Sequence, residues 1–217
     1  NNYFTKQSIE ASLQSDIHKY IEGKVGVELM SQSPLDLYSF QGNTSSYQFI
    51  SSNLALHYSP QTKRINTPEG KFNMVNKPTH LYLALQSAIG LNKNSTNYSK
   101  IDFKFKTKLF LPIGQTSVIF NSGLVLGSTP IFNLYEAMGV APDVINLSAS
   151  FGMASLEGFM TMKSGSFYSD RQASVFVRHS IFQTRVLSKF VFNPNIIYSA
   201  TIGSIYNPAE HNYAMQS

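Results

Sequence analysis

Along 100–111 the chain reads K-I-D-F-K-F-K-T-K-L-F-L. Ile101, Phe103, Phe105, Leu109 and Leu111 fall on one parity; Lys100, Asp102, Lys104, Lys106 and Lys108 fall on the other. Successive side chains of a β-strand point to opposite faces, so this segment predicts a strand with one apolar and one charged side. The same two-residue period predicts strands over 9–17, 21–29, 47–58, 80–90, 98–111, 115–126, 147–162, 172–182 and 190–203, about nine in all, in up-and-down order. No helical period of useful length competes with it. No Asn-Gly or Asp-Gly pair marks the first turn, which falls near Ser15 or near Lys19. Pro112-Ile113-Gly114 predicts a tight turn, whereas 59–78 and 127–146 are long, Pro- and Gly-containing connections.

Strand length is the telling quantity. Strands of globular sheets average about 5–6 residues, and a tilted strand crossing a bilayer needs roughly 9–11. Long strands joined alternately by tight turns and long loops are the pattern of membrane β-barrels. Aromatic residues stand near predicted strand ends at Tyr20, Tyr47, Tyr58, Tyr98, Phe110 and Phe182, where an interfacial girdle would place them. Lipid cannot hydrogen-bond a free strand edge, so a spanning sheet must close. The expected fold is all-β: an antiparallel up-and-down transmembrane β-barrel, a partial barrel of about nine or ten strands. The whole of 1–217 is expected to be barrel region, incomplete at both ends. The alternative is a soluble all-β binding module, whose strands would be shorter, with turns every 8–12 residues or so.

Composition sharpens this. Only 13% of residues are charged, about half the usual share, while 42% are hydrophobic. No run approaches the roughly 18 apolar residues of a membrane helix, and the start N-N-Y-F-T-K lacks the apolar core of a signal peptide. A removed signal or missing upstream sequence is expected. With no cysteine, disulfides and thiolate metal sites are excluded. The net charge is +5, but the basic residues are spread over many strands, so no nucleic-acid partner is expected. His18, His57, His80, His179 and His211 lack metal-site spacing and read as solvated or lumen-facing. No carboxylate pair, G-x-S-x-G elbow or phosphate loop stands out, so neither enzymatic activity nor a cofactor is expected.

The second half carries Pro130-Ile131-Phe132-Asn133-Leu134 with Gly139, then Phe151-Gly152-Met153, Glu157-Gly158-Phe159, Ser169-Asp170-Arg171-Gln172-Ala173-Ser174, Arg178-His179 and Asn207-Pro208-Ala209-Glu210-His211. Upstream, Tyr58-Ser59-Pro60, Thr67-Pro68-Glu69-Gly70, Pro78 and Gly90 sit in compatible order. In this order the segments resemble the barrel region of a family of Bacteroidetes outer-membrane proteins with an N-terminal carboxypeptidase-regulatory-like domain, distantly similar to the BamA-type assembly-factor superfamily. The resemblance spans 54–211. It implies a Gram-negative outer-membrane location, membrane lipids, lipopolysaccharide and other outer-membrane proteins as partners, and a role in envelope transport or outer-membrane protein assembly. A porin- or receptor-like solute channel is the main alternative. The Arg-Gly-aromatic loop signature of true BamA-type insertases is not in this chain, and no periplasmic docking repeat precedes the barrel region. Both departures argue against a direct insertase role.

Two constellations follow. The lysine parity of 100–108 is expected to form a charged lumenal face, opposite lipid-facing Ile101, Phe103, Phe105, Leu109 and Leu111. Asp170 and Arg178 share one parity and Arg171 and His179 the other. They read as a lumenal or gating ion pair, or as interface anchors that pin register.

Overall fold

The computed structural model describes residues 4–34, 38–43, 45–60, 63–67, 70–75, 79–136, 139–141, 159–163, 168–182, 184–186, 190–192, 194–204 and 211–213. Eight strands make one antiparallel sheet: β1 (Phe4–His18), β2 (Ile21–Pro34), β3 (Tyr47–Tyr58), β4 (His80–Gly90), β5 (Tyr98–Leu111), β6 (Gly114–Gly127), β7 (Arg171–Ile181) and β8 (Asn195–Ser204). Each pairs with its neighbours in sequence, so the sheet runs up and down without a crossover. Among the described residues no strand pairs with the outer edges of β1 or β8.

Three of the expected strands, over 47–58, 80–90 and 98–111, have the observed bounds, because a run of alternating residues declares its own limits. The first turn falls at Lys19-Tyr20. The expected strand over 190–203 is instead divided: Phe190–Phe192 forms a small hairpin with Thr184–Val186, and the sheet strand starts at Asn195. Pro194 stands at the break. Having no N–H to donate, it is poorly suited to a strand interior. Most of the expected strand over 147–162 lies outside the described residues; Phe159–Lys163 pairs in parallel with Gly139–Ala141.

Strand direction corrects the expected alternation of turns. At the lower end, the tight turns at 19–20 and 112–113 share the rim with the long connections 59–79 and 182–194. The upper end carries 35–46, 91–97 and 128–170. Connection length is legible locally, but the end on which a connection lies depends on the number of strands preceding it.

Directly paired residues share a face, so the register sorts the side chains. One face carries Ile9, Leu13, Val25, Val27, Leu29, Ile50, Leu54, Leu56, Leu81, Leu83, Leu85, Ile101, Phe103, Phe105, Val118, Phe120, Leu124, Val175, Val177, Ile196 and Ile202. None of these is buried; Leu13 is 84% and Ile202 75% exposed. The other face holds nearly all the sheet's charges and, Thr107 excepted, its buried side chains: Met30, Tyr47, Phe49, Tyr98, Ile119, Val125 and Phe176, with Glu28, Gln32, Ser51 and Ser174. A water-soluble sheet would bury its apolar side and expose its charges. Here the large apolar side chains are the unburied ones.

Candidate functional site

The upper end of the polar face is closed by the chain itself. Gly127 ends β6 at φ +99, a conformation that L side chains rarely adopt, and a Cβ there would lie 2.5 Å from the Asn97 carbonyl oxygen. From that glycine the chain turns back across the face as 128–136, including a short 3-10 turn at Ile131–Asn133. Pro130, Asn133 and Leu134 are buried in it.

Three anchors hold this crossing segment. Phe132 packs on Phe4 of β1 (ring centroids 4.8 Å apart) and edge-on to Tyr47 of β3 (5.6 Å). Asn133 accepts a hydrogen bond from Gln32 of β2 (3.1 Å) and donates to Thr129 (3.0 Å). Tyr135 lies over Gly123 of β6, where a Cβ would come within 2.6 Å of its Cε1 and Oη. Its hydroxyl donates to the Ile101 carbonyl (3.1 Å), and Lys100 Nζ stands 4.4 Å from the ring centroid. Burial first, then the neighbouring Asp102, pushes the Tyr135 phenol well above the usual tyrosine range. The segment therefore contacts β1, β2, β3, β5 and β6 within a few residues. Below it Met30, Phe40, Tyr47, Phe49, Ala88, Tyr98 and Val125 form one apolar cluster.

The neighbouring connections reinforce this cover. Asn92 Nδ2 donates to the Ser46 carbonyl (2.8 Å), Gln48 N donates to Ser95 Oγ (2.8 Å), and Thr96 bonds the Ser128 carbonyl. His211–Tyr213 pairs with Tyr38–Phe40, so the chain leaving β8 returns to the β2–β3 connection.

Elsewhere the polar face is laced with charge pairs: Lys6–Glu28 (3.0 Å), Lys24–Glu10 (2.6 Å) and Glu22–His57 (3.5 Å). His57 Nε2 and His80 Nδ1 are 3.1 Å apart, and His57 stacks on Tyr82 with centroids 4.3 Å apart. The sequence spacing of these histidines, across a long connection, gave no sign of the meeting.

Lys100, Asp102, Lys104, Lys106 and Lys108 lie on the polar face, opposite Ile101, Phe103, Phe105, Leu109 and Leu111. Asp170 and Arg178 do not meet. Seven intervening residues put them about 26 Å apart along the strand, and Asp170 pairs instead with Arg171 (3.5 Å) and Ser204 (2.8 Å) at the upper rim. His179 lies on the apolar face near the lower rim, bonded through Nδ1 to Thr116 (2.8 Å). Equal parity established the faces but carried no distance. Tyr47 and Tyr98 also depart from the expected girdle: both are buried on the polar face, whereas Tyr58 is exposed on the apolar one. Among the residues that carry the family resemblance, Gly139 is in the small parallel pair and His211 in the pair with Phe40. Pro208 lies outside the described residues. No family model matches the chain, and no curated protein matches it.

Proposed function

We propose that this chain forms the wall of an integral outer-membrane β-barrel of a Gram-negative cell, with a role in envelope transport or outer-membrane protein assembly and no covalent chemistry. The observation that carries the reading is the sheet's sidedness: nearly all its buried side chains and charges share one face, while the large apolar side chains of the other stand unburied. On β5 (Ile101 to Leu109, with Thr107) and β6 (Val118 to Leu126, with Ser122) this parity spans eight residue steps, about 26 Å of rise, close to the roughly 25 Å apolar band of such barrels. Across eight strands at about 4.8 Å spacing this makes a face of the order of 1,000 Å², where soluble monomers rarely expose contiguous patches above a few hundred. In lipid the outer edges of β1 and β8 must be paired, which further strands of a larger barrel would do.

The resemblance to the Bacteroidetes barrel family supports an assembly or transport role, with lipid, lipopolysaccharide and other outer-membrane proteins as partners. So does the crossing segment 128–136, which obstructs one end of the face that would line a lumen. The observation favouring a porin-like channel instead is the row Lys104, Lys106 and Lys108 running below that obstruction. Alkaline carbonate extraction tests the membrane reading. The protein should stay in the membrane pellet until detergent is added, and release by carbonate alone refutes it. Planar-bilayer recording separates the roles: assembly predicts an electrically silent barrel whose depletion lowers other outer-membrane proteins, and a channel predicts discrete conductance.

A further inference from the structure

The polar face holds a cavity of about 360 Å³ beneath the crossing segment. The register explains why it exists. Ala84, Asp102, Gly123 and Gln172 form one row across β4, β5, β6 and β7; Tyr82, Lys104, Asn121 and Ser174 form the next. The small side chains Ala84 and Gly123 leave the hollow, and longer polar ones surround it. Tyr135 and Glu136 roof it.

We infer that this cavity binds a neutral saccharide. Its volume lies at the lower end of the roughly 300–1,000 Å³ range of small-molecule sites. Its lining combines planar polar groups, Asp102, Asn121, Gln172 and Glu136, and the Lys104 ammonium with two phenol rings, Tyr82 and Tyr135. Hydroxyl groups that both donate and accept can satisfy carboxylates and amides together, and the C–H faces of a sugar ring pack on aromatic rings. Asn121 lines the same hollow between Lys104 and Ser174, so its amide adds a hydrogen-bonding group to the wall. Asp102 and Glu136 would repel a small anion where Lys104 would attract it, and a hydrocarbon would forgo hydrogen bonding to all three. Tyr82 is held by stacking on His57 and remains 37% exposed, a ready platform for a ring.

The inference rests on the lining of the cavity and not on what meets the apolar face. Its test is therefore separate from membrane extraction. The whole chain, purified in a detergent without a sugar headgroup, is titrated calorimetrically with maltose, glucose and inorganic phosphate. Saturable maltose binding at millimolar or tighter affinity is expected, weakened about tenfold or more by Asn121→Leu (1.4 kcal/mol per decade). Ala84→Leu, which fills the hollow without removing a hydrogen-bonding group, should abolish it. Circular dichroism is used to verify that each variant keeps its sheet. Three results overturn the proposal: no saturation by either sugar up to about 10 mM, an order above that affinity; saturation by phosphate alone; or maltose binding that both variants leave unchanged.

Discussion

Replacing Gly123 by alanine should release the crossing segment while leaving the sheet in place. The new methyl would lie within 2.6 Å of Tyr135 Cε1 and Oη. The strand beneath it is held on both sides by β5 and β7, so the ring must move. Leaving its seat, Tyr135 loses the hydrogen bond to the Ile101 carbonyl, worth about 0.5–1.5 kcal/mol, and the Lys100 contact, worth about 0.5–1 kcal/mol. Part of the ring's apolar burial goes too, so a total near 2 kcal/mol is expected, which is roughly a 30-fold shift in local opening. The amides of Asn133 and Leu134, bonded to the carbonyls of Pro130 and Ile131, report that opening directly. Their hydrogen exchange should accelerate by about that factor, while amides in the middle of β6 keep their protection. Alanine suits a strand interior better than glycine by about 0.5–1 kcal/mol, so the sheet itself has no reason to loosen. Tyr135→Ala should reproduce the effect without touching β6. Exchange at Asn133 and Leu134 within about twofold of the parent protein would show that Tyr135 does not hold the segment.

Lysine at Phe105, near mid-height on the apolar face, should cost about 2–4 kcal/mol in a bilayer and sharply lower the folded fraction seen by heat-modifiable gel migration; Lys104→Ser, on the other face, should not. Equal folded yields for Phe105→Lys and the parent would argue against lipid contact. Asn133→Ala should lower stability by about 1–3 kcal/mol in urea titration, because it strands the Gln32 amide. Adding Gln32→Leu should recover part of that loss, and full additivity in the double-mutant cycle would show the pair uncoupled. The Tyr135 phenol titrates above its ordinary range, so the folded seat binds its proton more tightly than the unfolded chain does. The seat's contribution is complete below the ordinary tyrosine value of about 10 and is lost as pH rises beyond it. Tyr135→Phe should remove the resulting alkaline rise in exchange across 128–136, and persistence of that rise would assign it to another group.

The alternation along 47–58, 80–90 and 98–111 was enough to place those strands, sort their two faces and establish the up-and-down order, because a period of two is a property of neighbouring residues. Composition added the low charge that makes an uncovered apolar face credible. What covers the charged face was not legible. The sheet encloses the charged side, since 128–136 folds back over it and fills its upper end with Phe132 and Tyr135. No local signal marks Gly123 as the seat of Tyr135, which lies over it only in the fold. Asn121 gained its meaning from the Ala84 and Gly123 hollow beside it, and His57 met His80 only across paired strands. Asp170 and Arg178 shared a face, as parity requires, yet lie at opposite rims. Local periodicity thus determined the strands and their two faces. The tertiary structure decided where the polar face is covered and where it leaves a cavity, because that depends on long-range pairings and on where a loop returns, neither of which leaves a periodic signal in the chain.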